Sequence, residues 1–207
     1  MKFSIIALTF LFSLSSFANE KATKKLSDAV ESNNIKNARK AIEDGADVNA
    51  KSTTSSILLR AVKLNEIEMV KLLLDNNADI NQVKPVDLFS GLMISAKQNN
   101  LVMAKLLISR GIDVTLATIL NRNALHIAAL HNSVDVAKVL VNETNLDVNV
   151  RGNLCALAIA ARQDHREIVS LLKNQKGEKA PSQKCLESAI NMAEINSHAE
   201  VLSILNQ

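Results

Sequence analysis

One pentapeptide pattern returns four times along the chain, as GADVN at 45–49, NADIN at 77–81, GIDVT at 111–115 and NLDVN at 145–149, at steps of 32, 34 and 34 residues. A period of this size argues for an array. Each copy is too short to bury both faces of its own elements and must bury them against its neighbours. Upstream of the loops lie amphipathic stretches beginning at Asn33, Asn65, Asn99, Asn132 and Asp164, and a weaker sixth, SHAEVLSILN, begins at Ser197. In NEIEMVKLLL the pattern predicts a helix with Ile67, Val70 and Leu74 on its inner face, Leu73 beside them, and Glu66, Glu68, Lys71 and Asp75 outward.

A shorter helix precedes each of these. It is marked by Leu58 with Ala61 and Val62, Leu92 with Ser95 and Ala96, Leu125 with Ala128 and Ala129, and Leu157 with Ala160 and Ala161. Small residues at those paired positions let neighbouring helices approach closely. Gly45, Asn77, Gly111 and Asn145 open the four pentapeptides, and Gly and Asn enter the left-handed backbone region most cheaply, so all four are expected to end helices there. The unit is therefore a helix pair closed by a tight turn, with boundaries near 26–50, 51–82, 83–115, 116–150, 151–180 and 181–207, and residues 19–25 as a lead-in. The fold class is all-α, a solenoid of about five to six helix-turn-helix units.

Composition agrees with helices. The 207 residues are 47% apolar and 22% charged, with five Gly and two Pro. Phe3, Phe10, Phe12 and Phe17 leave Phe89 as the one aromatic beyond residue 18. Strands favour aromatics and large cofactor pockets are commonly lined with them, which argues against a sandwich, a barrel or a dinucleotide-binding domain.

Residues 1–18 read as a secretory leader. Met1-Lys2 gives a positive start, Phe3 to Leu14 an apolar run, and Ser16-Phe17-Ala18 small residues where a signal peptidase cuts, with cleavage expected after Ala18. The run is broken by Ser4, Thr9 and Ser13 and falls short of the roughly 20 residues that cross a bilayer. The expected mature chain is periplasmic or secreted, with no membrane span. It keeps 23 basic and 21 acidic side chains, a net of +2.

At these residues the sequence resembles the ankyrin repeat family, from about Leu26 to Leu205, including NALHIAA at 123–129 beside the family's TPLHxAA signature. No copy has the Thr-Pro pair: Ser56-Ile57, Ser90-Gly91, Asn123-Ala124 and Cys155-Ala156 stand in its place, and His126 alone fills the signature histidine. The resemblance implies that this histidine is structural. It also implies binding of proteins through the inner helices and the loop tips.

Chemistry is not prominent. His126 and His131 remain beside His165 and His198, which occupy equivalent positions in successive units. Stacked helices sit about 10 Å apart, too far for one zinc to bridge. Asp164-His165 near Ser170 is read as helix capping, since no nucleophile elbow, zincin motif or phosphate loop accompanies it. Neither a catalytic function nor a cofactor is expected. Cys155 and Cys185 form an even pair in an exported chain, which leaves a disulfide or two buried thiols open. Register places Cys185 just before the sixth unit's first helix. Asn142-Glu143-Thr144 is a glycosylation pattern only in a suitable host and falls at a helix end. A net of +2 with one aromatic supplies neither the phosphate footprint nor the stacking platforms of a nucleic-acid binder.

The partner-binding candidates are Lys51, Lys84, Arg122 and Arg151 at the loop tips, with Arg60, Lys63, Lys97, Gln98, His131, Arg162 and Gln163 on the inner helices. This strip is mostly cationic, whereas the outer helices alternate in sign. One-sided charge steers an acidic partner and excludes basic ones. The expected function is an exported protein-binding module, monomeric when unbound, and the resemblance to exported ankyrin repeat proteins implies that it acts as an inhibitor or immunity protein of a secreted enzyme or toxin. A secreted effector that meets host proteins and an envelope structural or stress-protection protein are the alternatives.

Overall fold

A computed structural model describes residues 19–149 and 154–207 of the chain. Residues 1–18, the expected secretory leader, and the candidate Arg151 lie outside the described residues. Among those described, every regular element is helical: residues 19–31 (α1), Ile35–Glu43 (α2), Ile57–Lys63 (α3), Ile67–Asp75 (α4), Gly91–Lys97 (α5), Leu101–Ser109 (α6), Ala124–His131 (α7), Val134–Glu143 (α8), Ala156–Arg162 (α9), Arg166–Lys173 (α10), Gln183–Ile195 (α11) and Ala199–Asn206 (α12), with a 3-10 turn at Gly177–Lys179. They form six consecutive hairpins. The chain divides into two compact units, Met1–Pro85 and Val86–Gln207. The described part of the first contains α1 to α4 and the second α5 to α12.

The turn inside each hairpin is set by one residue in the left-handed region. Asn33, Asn65, Asn99, Asn132, Asp164 and Ser197 all have φ between 47° and 61°. Asn and Asp tolerate this because their short polar side chains bond the local backbone. These are the residues at which the amphipathic stretches begin.

The inner helices start where the Thr-Pro pair is missing. Ser56 accepts from Leu59 N at 3.3 Å, Ser90 from Met93 N at 3.4 Å, and Asn123 from Leu125 N and His126 N. Ser and Asn thus satisfy amides that the first helical turn leaves unpaired. The small residues behind them, Ala61, Ser95, Ala96, Ala128, Ala129, Ala160 and Ala161, are fully buried. In the second unit α5 packs on α7, α7 on α9 and α9 on α11, with the outer helices behind them.

Three sequence expectations change. Residues 19–25 belong to α1 rather than to a lead-in, because Ala22, Leu26, Ala29 and Val30 fall at helical spacing and are buried on one face. Gly45, Asn77 and Gly111 have positive φ, but Asn145 does not. There Thr144 is extended and its hydroxyl closes α8 instead, donating to Leu140 O at 2.6 Å and accepting from Leu146 N at 3.2 Å. In α4 the buried side chains are Met69, Val70, Leu72 and Leu73, together with Glu66, which was expected outside. Ile67 and Leu74 are only half-buried.

The loop pentapeptide earns its repetition by joining units. Asp47, Asp79, Asp113 and Asp147 each accept from the amide two residues on. Asn49 then donates to Asn77 O at 3.1 Å and accepts from Asp79 N at 2.7 Å. Asn149 repeats this, donating to Ala180 O at 2.9 Å and accepting from Ser182 N at 2.7 Å. A side-chain amide can offer both a donor and an acceptor to the next copy, which an aspartate cannot.

Candidate partner-binding face

The inner-helix positions named from sequence separate by register. Counted from the helix caps, Arg60 matches Ile94, Ile127 and Ile159, all of them buried. Arg60 therefore stands at a core position. It is half-buried, its Nη1 donates to Glu31 Oε1 at 3.1 Å and its Nε is buried without a partner. Its charge is spent within the first unit, and it is not a free cation of the strip.

Glu66 lies close to the same carboxylate. Its Oε2 is buried without a hydrogen-bond partner, and burial first, then the charge of Glu31, pushes its pKa up. A carboxyl whose folded pKa is raised favours the folded state in its protonated form, and that contribution disappears as pH climbs through the folded value. Glu66→Gln is expected to raise the melting temperature at pH 7. The gain should shrink as the solution is acidified below the folded pKa, because the wild-type carboxyl is then neutral as well. Equal melting curves at both pH values would contradict this.

The remaining candidates of the first unit are Lys51 at a loop tip, where its backbone forms an isolated bridge with Ser56, exposed Lys63 at the end of α3, and half-buried Lys84. In the second unit, Lys97 ends α5, Arg162 ends α9, and exposed Gln98, His131 and Gln163 share the next register position. No carboxylate pairs with Lys97 or Arg162 among the described residues. Although the residue is exposed, partial desolvation of its ring, then Lys97 and His165, hold His131 below the usual imidazole value, so at pH 7 it is a neutral hydrogen-bonding group. Arg122 sits half-buried at a loop tip.

The outer helices behave differently. Lys71 meets Glu68 at 2.8 Å, Lys105 meets Glu143 at 3.2 Å, Lys138 meets Glu167 at 2.7 Å, and Arg166 pairs with Asp164 and Glu200. Each exposed pair contributes little to stability. Their effect is to offset positive charge on α4, α6, α8 and α10, whereas Lys36, Arg39 and Lys40 of α2 pair with no carboxylate among the described residues.

The other three histidines are structural links. His126 Nδ1 donates to Asn123 Oδ1 at 2.7 Å within its own turn. His165 Nδ1 donates to Ala129 O at 2.8 Å and His198 Nδ1 to Ala161 O at 2.9 Å, each tying an outer helix to the inner helix of the preceding hairpin. A carbonyl can only accept, which assigns the proton to Nδ1. No cluster of three or more His, Cys, Asp or Glu side chains is placed to hold a metal among the described residues.

Cys155 and Cys185 are joined by a disulfide, with Cα atoms 6.0 Å apart. Cys155 occupies the cap of α9, and Cys185 lies in the first turn of α11 rather than before it, because α11 starts at Gln183. Lys179 was missed from sequence. Its Nζ donates to Thr144 O at 2.6 Å and to Val141 O, covering carbonyls that the end of α8 exposes. Also missed were exposed Val86, Leu88, Ile119 and Leu120 at the loop tips, although apolar residues inside a turn-rich segment are themselves a signal.

A family model described as ankyrin repeats (3 copies) matches residues 58–152 and 92–185, together more than half of the chain. An ankyrin repeat protein of fowlpox virus (strain NVSL) is 30% identical over 154 residues, 70% of this chain and 45% of its own length. One of Acanthamoeba polyphaga mimivirus is 32% identical over 108 residues, 52% of this chain and 31% of its own. The human ankyrin repeat and SOCS box protein 3 is 31% identical over 90 residues, 42% of this chain and 17% of its own. The chain thus spans less than half the length of these relatives. Ankyrin repeats generally mediate protein–protein binding and are typically non-catalytic. No helix among the described residues is long and apolar enough to cross a membrane. Helix pairs at this period, capped and stapled at the same register, and the family match lead to one conclusion: the chain belongs to the ankyrin repeat family.

Proposed function

We propose that the chain is an exported protein-binding module that holds an acidic protein surface against its inner helices, and that it restrains a secreted enzyme or toxin as an inhibitor or immunity protein does. The observation that carries this reading is a contrast in charge pairing within the second unit. Exposed Lys97 and half-buried Arg162 have no carboxylate partner among the described residues, while Lys105, Lys138 and Arg166 on the outer helices are each neutralised. Unpaired cations on one side raise the encounter rate with an anionic surface and disfavour a cationic one. Export is supported by the pattern of Met1–Ala18 and by a disulfide, which persists in oxidising compartments. Inhibition suits a non-catalytic face, since occupying a surface near an active site blocks it without chemistry.

The test is a pull-down from periplasmic extract with the chain from residue 19 as bait, followed by affinity measurement on the captured partner. Lys97→Glu together with Arg162→Glu is expected to weaken association about tenfold or more, mostly through a slower on-rate, with the melting curve unchanged. The wild-type affinity should fall as salt rises. Equal affinity of the variant and the wild type would reject the cationic face. A captured hydrolase whose activity is untouched by saturating chain would reject inhibition.

A further inference from the structure

Two successive loops of the second unit are apolar where a solvated turn has no need to be. Val86 and Ile119 fall four residues before the caps Ser90 and Asn123, at the same register, and are 76% and 68% exposed. Leu88 and Leu120 beside them are 37% and 49% exposed. The loop before Ser56 in the first unit has Ser52, Thr53 and Thr54 in the corresponding places. The turn itself therefore does not ask for aliphatic side chains.

Leu88 carries a second cost. Two residues before the cap the backbone passes through the left-handed region, with φ +57° at Leu88 and +53° at Asn121. Asparagine adopts that conformation cheaply and leucine does not. A leucine kept there, with over a third of its surface in solvent, loses both conformational energy and the gain from burial. An exposed apolar cluster of this kind marks an interaction site.

Charge surrounds the cluster. Arg122 follows Asn121, and its Nε is buried without a hydrogen-bond partner. One helix length along α5 from the cap Ser90, about 10 Å at 1.5 Å per residue, lies Lys97, and Arg162 stands at the same register on α9, neither paired with a carboxylate. The carboxylate at these tips, Asp87, accepts from Phe89 N at 3.2 Å.

From this we infer that the second unit docks a segment of its partner that is both acidic and aliphatic or aromatic, with apolar side chains seated on Val86, Leu88, Ile119 and Leu120 and carboxylates reaching Lys97 and Arg162. This rests on the acidic-partner reading and adds the anchor to it. The chain has no Trp or Tyr, so a large aromatic anchor at the contact comes from the other side.

Short random peptides displayed on phage and panned on the chain from residue 19 test this. The enriched peptides are expected to combine Asp or Glu with Leu, Ile, Phe or Trp. Val86→Ser with Ile119→Ser and Leu120→Ser should weaken them about tenfold or more while the melting curve holds, since exposed side chains contribute little to folding. Leu88→Asn should raise the melting temperature and still weaken the peptides, a split that a merely structural leucine would not produce. Peptides rich in carboxylates but free of apolar residues, lost on Lys97→Glu with Arg162→Glu yet held by the tip variant, would overturn this inference and leave the acidic-face reading standing. Peptides indifferent to both variants would overturn both. Failure to enrich any peptide would overturn the inference, as would a dimer in light scattering that Ile119→Ser dissolves, because the tips would then cover a second copy.

Discussion

Replacing Cys155 and Cys185 together by Ala destabilises the C-terminal hairpins by about 3–4 kcal/mol, the value expected for a cross-link that closes a loop of this length. The bond spans a sequence separation of 30 residues and links the cap of α9 to the first turn of α11. Without it, chain entropy in the denatured ensemble rises and the terminal hairpin α11–α12, packed chiefly on α9 and α10, is the first to detach. Urea titration of the oxidised wild type against the variant measures the difference, and hydrogen exchange locates it. Both sulfur-bearing residues are buried, so a reductant reaches the bond only through local opening. Coincident titrations would show that the bond contributes nothing.

Leu125→Ala is expected to cost about 2–5 kcal/mol, the range for a fully buried leucine whose site cannot collapse. Leu125 is buried in α7, which packs between α5 and α9. Repeats contact only their neighbours, so a cavity here weakens two interfaces at once and should uncouple the hairpins on either side. Val102, exposed on α6, is the control, and its truncation should stay within about 0.5 kcal/mol. A loss at Leu125 no larger than at Val102 would contradict the packing described.

The central hairpins were legible because the loop pentapeptide, the amphipathic outer stretch and the paired small residues recur there in step. The Asn, Asp or Ser at the start of each outer stretch sets a left-handed turn and the paired small residues mark close helix contact, while the Ser or Asn caps of α3, α5 and α7 emerge only in the structure and give way to Cys155 at α9. What escaped were positions where the residue type gives a poor guide to its surroundings. Arg60 reads as a surface cation, but it occupies the position of Ile94, Ile127 and Ile159 and is compensated by Glu31, a residue 29 positions away that no local pattern connects to it. Glu66 reads as solvated because it precedes an amphipathic helix, yet it takes the place that His165 and His198 hold in later hairpins. Asn145 carries the right side chain for a left-handed cap, and Thr144 pre-empts it by closing α8 with its hydroxyl. On the candidate face, charge was readable residue by residue, but whether a cation is free depends on what lies opposite. That is a property of the fold.

The two histidine links reuse the same nitrogen toward the same carbonyl position in consecutive hairpins, His165 to Ala129 and His198 to Ala161. Atoms that meet at constant register are interchangeable parts. A duplicated segment from one histidine to the next would present the donor and the acceptor its new flanks require, so evolution or an engineer can lengthen this chain by copying a module without redesigning a junction.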